Sequence, residues 1–159
     1  MDKLRMLEQP TAAKPSLSEA KPATTDCYHA CESFPLSGLG ELRHASPEIL
    51  SEVFGFPFPA RTRPEDLLFL DTETTGLSGG AGTIAFETGL GYLTKQGFVV
   101  EQFFMRDYPE EGFLLKRVAA LMAAFPVLVT FNGRTFDVPL LRNRLLMNRM
   151  SDRCISECH

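Results

Sequence analysis

The chain has 159 residues, 44% hydrophobic and 23% charged, with a formal net charge of −4. That length predicts one domain around a single modest core, and the composition is that of an ordinary globular protein. The mild acidity excludes a molecule that is basic all over and argues against a pure nucleic-acid-binding module, while leaving room for a site whose carboxylates hold cations.

Residues 1–26, rich in Pro, Ala, Lys, Ser and Thr without hydrophobic periodicity, predict a flexible leader. Asp2, Lys3, Arg5, Glu8 and Lys14 leave no apolar segment for a signal peptide there. Residues 27–66 predict an irregular extension broken by Pro35, Pro47, Pro57, Pro59 and Pro64. It holds one short helix, with Ser46 as cap, Pro47 at the first position, and Ile49, Leu50, Val53 and Phe54 supplying apolar surface.

The core pattern occupies residues 67–150. Leu67-Leu68-Phe69-Leu70 is a continuous apolar run ending in Asp71, as expected of a buried central strand. After the glycine-rich turn containing Gly76, Gly79, Gly80 and Gly82, the segment from Thr83 to Leu93 alternates. Ile84, Phe86, Thr88, Leu90 and Tyr92 share one face; Ala85, Glu87, Gly89 and Gly91 share the other. Lys95-Gln96-Gly97 predicts a turn into a further strand, Phe98 to Met105, completing a hairpin.

Asp107-Tyr108-Pro109-Glu110-Glu111 announces a helix, carried by the stripe Leu114, Val118, Leu121 and Phe125 and stopped by Pro126. Val127 to Phe131 reads as another buried strand, and a second helix runs from about Asp137 to Met150. Residues 151–159 form a tail. The stretch from Phe113 to Phe131 is too interrupted, by Lys116, Arg117 and Pro126, to cross a membrane, and a cytoplasmic protein is expected. The order strand, strand, strand, helix, strand, helix predicts an α/β fold: three antiparallel strands, a helix crossover to a parallel strand, and flanking helices.

Asp71 and Glu73, at i and i+2 on an extended strand, project to one face. Two carboxylates held together there repel unless a proton or a cation lies between them, and hard oxygen ligands of this kind suit Mg²⁺ or Mn²⁺. Asp137 has two readings. It can cap the following helix, or it can reach the first pair if its strand lies parallel to the Leu70 strand and both open on one edge. Cys27, Cys31, Cys154 and Cys158, the last followed by His159, read as reduced thiols, with a zinc scaffold as the alternative. The glycine-rich turn lacks the Gly-Lys-Ser/Thr ending of a P-loop, which excludes nucleoside triphosphate hydrolysis of that type.

Asp71-Thr72-Glu73-Thr74-Thr75-Gly76-Leu77, followed by Phe131-Asn132-Gly133-Arg134-Thr135-Phe136-Asp137, resembles the first two motifs of the DEDD (DnaQ-like) 3′–5′ exonuclease superfamily. The fuller text from Leu67 to Arg149 is similar to the bacterial YprB-type ribonuclease H-like domain. The resemblance implies a ribonuclease H-like mixed sheet and a two-metal site for Mg²⁺ or Mn²⁺, with Asp71, Glu73 and Asp137 as three of its four acids. It also implies hydrolysis at single-stranded 3′ ends of DNA or RNA.

Thr74, Thr75, Gly76, Leu77, Asn132 and Phe136 match positions around the terminal nucleotide. The third motif, a His or Tyr a few residues before the fourth acid, has no counterpart before His159. Asn148 and Asp152 mimic its spacing but read as surface residues at a helix end. The expected chain is therefore a domain with its C-terminal part missing, either nuclease-type or a remnant that only binds nucleic acid or a partner. Glu87 reads as an acid supporting the site or as a solvated residue. Arg134, Arg142, Arg144, Arg149 and Arg153 read as phosphate contacts or as a solvated helix face.

Overall fold

The computed structural model describes residues 26–38, 42–76 and 82–156. The expected leader apart from Asp26, most of the glycine-rich turn including Leu77, and Cys158 with His159 lie outside the described residues. Five strands form one sheet: β1 (Tyr28–Pro35), β2 (Leu67–Thr74), β3 (Ala85–Leu93), β4 (Gly97–Phe104) and β5 (Val127–Thr130). Their order is β1-β4-β3-β2-β5, with β5 parallel to β2 and every other pair antiparallel. Among the described residues four α-helices accompany it: α1 (Pro47–Phe54), α2 (Glu111–Ala124), α3 (Asp137–Met147) and the single turn α4 (Arg153–Ser156). This is the expected mixed α/β sheet with flanking helices.

Alternation along β2 decides which layer each residue joins. Leu68 and Leu70 point into the main core with Leu90, Phe103, Leu114, Leu115, Val118, Leu141 and Leu145, where α2 and α3 cover the sheet. Leu67 and Phe69 point the opposite way, into a smaller core with Leu50, Phe54, Phe58, Val127 and Val129 under α1. The cap of α1 is as expected: Ser46 accepts the Ile49 amide, Pro47 opens the helix, and Gly55 closes it at φ 74°.

Besides shifts of one or two residues at the ends of β3 and β4, three boundaries differ from the sequence reading. Asp107 caps a short 3-10 turn, Tyr108–Glu110, so α2 begins only at Glu111. The helix α3 ends at Met147 rather than near Met150, because Arg149 takes φ 58°, a left-handed conformation that no helix continues. The strand β5 ends at Thr130, leaving Phe131 outside it and 93% exposed.

The largest addition is β1, in a region expected to be irregular. It pairs along its whole length with β4, from Tyr28 opposite Phe104 to Pro35 opposite Gly97. Most of its side chains are exposed, so it carries no hydrophobic alternation to read. Pro35 is tolerated because β1 is an edge strand. One face is nonetheless pinned. The His29 ring stacks on Phe103 at 4.5 Å, and its Nε2 lies 2.7 Å from Glu101, to which the Tyr92 hydroxyl donates at 2.6 Å. Burial, with the Glu101 carboxylate beside it, holds the Tyr92 phenol protonated well above its ordinary range.

Candidate acidic site at the carboxyl ends of two parallel strands

The site is built where β2 and β5 open on the same edge of the sheet. Leu67 to Leu70 pair with Val127 to Thr130 in parallel register, so the segments beyond Leu70 and beyond Thr130 emerge together. Asp71 and Glu73 follow the alternation of Leu67 and Phe69 and are both exposed on that face. Across the hairpin, Asp71 stands opposite Gly89 and Glu73 opposite Glu87. Like charges directly opposite are unfavourable in a bare sheet. Gln102 donates to Glu87 at 3.3 Å and relieves part of this; among the described residues Asp71 and Glu73 have no hydrogen-bond or ion-pair partner.

A bulge between Glu73 and Thr74 shifts the register, so that Thr74 pairs with Ala85 and Phe86 is the extra residue on β3. Such a bulge re-aims the chain leaving a strand. Beyond it Thr75 is stitched to Ile84: its amide donates to the Ile84 carbonyl at 3.0 Å, and its hydroxyl accepts the Ile84 amide at 3.1 Å. The Thr74 hydroxyl donates to the Gly76 carbonyl at 3.0 Å. The hydroxyls of Thr74 and Thr75 thus tie down the backbone where the chain leaves β2.

Asp137 is buried at 5% exposure. It is the first residue of α3 rather than its cap; Phe136 stands at the cap position and its side chain makes no capping bond. The Asp137 carboxylate accepts a hydrogen bond from the Thr72 hydroxyl. Thr72 lies between Asp71 and Glu73 in sequence, so alternation turns it to the face covered by α3. Directly opposite it on β3 is Thr88, fully buried, with a hydroxyl that finds no partner among the described residues. Asp137 therefore belongs to the same strand end as Asp71 and Glu73 but is held on the other side of β2. Among the described residues no group of three or more His, Cys, Asp or Glu side chains is arranged to hold a metal ion. The hydrogen bond from Thr72 engages one carboxylate oxygen of Asp137.

Asn132 adopts φ 59° and its side-chain oxygen accepts the Thr135 hydroxyl at 2.7 Å, so it shapes the loop before α3. Phe136 is half-buried. The arginines divide. Arg144 is buried, with a bidentate ion pair to Glu111 at 2.5 and 2.7 Å that ties α3 to α2. Arg142 lies 3.4 Å from Asp152, while Arg134, Arg149 and Arg153 are exposed. Asn148, expected on the surface, is half-buried and donates to Glu111 at 2.8 Å. Cys27 and Cys154 are buried in the main core and Cys31 is exposed. Burial pushes the Cys27 thiol up, with Glu110 adding to it, which disfavours the thiolate that zinc requires. No helix among the described residues is long and apolar enough to cross a membrane.

The exposed carboxylate pair thus lies at the end of an interior strand of a mixed α/β sheet, beside the end of that strand's parallel neighbour. The chain belongs to the RNase_H superfamily, whose RNase_H_2 family model it matches over residues 68–156. Members of that superfamily generally bind nucleic acid and use divalent metals. The chain is similar, at 35% identity over 81 residues, to the "Uncharacterized protein YprB" of Bacillus subtilis (strain 168). That match covers 50% of this chain and 19% of the relative, so the chain spans about a fifth of the relative's length. No solved structure matches it.

Proposed function

We propose that this domain is of the DEDD type and hydrolyses phosphodiester bonds at the 3′ end of a nucleic-acid strand. The single observation that carries this reading is the exposed Asp71–Glu73 pair at the open end of β2, without a partner among the described residues, in a chain of this superfamily. Two like charges left so close together call for a divalent cation. Asp71 and Glu73 would hold it, Mg²⁺ or Mn²⁺, with Asp137 as a further ligand from the neighbouring strand end.

When bound, such cations supply a nucleophilic water and stabilise the leaving oxygen of an in-line cleavage. The chain's own groups do the positioning. The turn fixed by Thr74 and Thr75, with Gly76, presents backbone to the last nucleotide, and Leu77 adjoins it in the sequence. Asn132 and Phe136 line the opposite strand end. A cytoplasmic setting accords with this role.

The buried, Thr72-bound position of Asp137 favours a second reading, in which the chain binds nucleic acid without cleaving it. Both are tested by incubating the chain, and Asp71→Ala, with a labelled single strand and Mn²⁺. The exonuclease reading predicts mononucleotides released from the 3′ end by the unsubstituted chain, and a loss of at least about a hundred-fold in Asp71→Ala, several kcal/mol of transition-state stabilisation. Equal activity in both refutes it; binding without cleavage in both supports the second.

A further inference from the structure

Phe131 is the side chain whose placement burial leaves unexplained. It is 93% exposed, whereas Tyr108, the next most exposed of the large hydrophobic side chains among the described residues, reaches 69%. It stands one step beyond Thr130, which is paired with Leu70, just as Asp71 stands one step beyond Leu70 in sequence.

The loop that follows is closed rather than loose. The Gly133 amide donates to the Thr130 hydroxyl at 3.0 Å, the Thr135 amide donates to the Asn132 carbonyl at 3.2 Å, and Asn132 takes a left-handed turn. Gly133 packs so closely on Thr130 that any side chain there would overlap it. Phe131 is thus presented outward by a fixed turn, one residue past the end of the strand that runs parallel to β2.

We infer that Phe131 is a stacking platform for an unpaired nucleobase at the 3′ terminus of a bound strand, a role that rests on the nuclease reading above. An aromatic ring in water beside a backbone-reactive site fits a base, because every base has a face to stack and only an unpaired, terminal one has that face free. An apolar protein surface fits poorly, since covering Phe131 would also strip water from Asp71 and Glu73 without giving them partners. Arg134, exposed three residues on, is within the same loop to meet a phosphate.

The chain contains no tryptophan, so Phe131→Trp places a single reporter at this position. The 159-residue chain is titrated, in Ca²⁺, with ten-nucleotide DNA and RNA strands ending in a normal or an abasic 3′ nucleotide. Stacking predicts quenching of the Trp emission by strands with a terminal base and less by abasic ones. Phe131→Ala, checked for an unchanged melting temperature, should bind the base-ended strand roughly ten- to a hundred-fold more weakly and the abasic strand as the unsubstituted chain does. Equal affinity of Phe131→Ala and the unsubstituted chain for the base-ended strand overturns the stacking role and leaves the nuclease reading intact. No binding of any strand by the unsubstituted chain overturns both.

Discussion

At the scale of single residues the decisive relation is between Thr72 and Asp137. A threonine between two acids on a strand must face away from both, and here its hydroxyl meets the carboxylate that opens α3. That bond satisfies an otherwise buried charge, and the position at the helix N-terminus favours negative charge as well. Thr72→Val keeps the shape and removes the donor. It should lower stability by about 1–3 kcal/mol in urea unfolding, because Asp137 is left buried without its partner. An unchanged unfolding midpoint would show that the bond contributes nothing. The two exposed acids were legible from their spacing and the apolar run before them. The placement of Asp137 was not, because spacing along a chain does not say on which side of a sheet the following helix packs. Phe131 was misread for a related reason: as the last apolar residue of a run it resembles buried strand, and only the tight turn at Asn132 and Gly133 puts it in water.

Among the elements, β1 and the entry to α2 depend on polar ties that leave little hydrophobic trace. Arg106 donates to the Asp26 carbonyl at 2.7 Å and to Glu110 at 2.7 Å, joining the residue two before β1 to the turn before α2. Burial alone would raise the Glu110 carboxyl, but the Arg106 side chain, the backbone amide of Arg106 and its charge outweigh this and hold it below the ordinary glutamate range. A carboxyl depressed by folding adds stability above its unfolded value, near pH ~4.3, and loses it as pH falls through the folded value. Glu110→Gln should therefore unfold at lower urea than the unsubstituted chain at pH 7, and the difference should close below about pH 4. A gap that persists undiminished at pH 3 would contradict the assignment. The strands β2 to β5 and the helices that cover them could be read because their burial is apolar and periodic. The strand β1 could not, since it is held by backbone pairing, one stacked histidine and Glu101.

For the molecule as a whole, the topology brings the two strand ends that carry the candidate site to one edge. The antiparallel strands β4, β3 and β2 form a platform, and the crossover through α2 returns β5 parallel to β2, so that two carboxyl ends open side by side. The α2–α3 pairing through Glu111 and Arg144 fixes where α3 begins, and hence where Asp137 sits. The proposed nuclease role requires the open end of β2 to be a divalent-cation site. Titration with Mn²⁺, followed by loss of the free-ion paramagnetic resonance signal, tests it without assuming any substrate. The unsubstituted chain should take up Mn²⁺ and the double substitution Asp71→Asn, Glu73→Gln should not, with both melting at the same temperature because these side chains are exposed. Equal Mn²⁺ uptake by the two, or none by either, would contradict the claim.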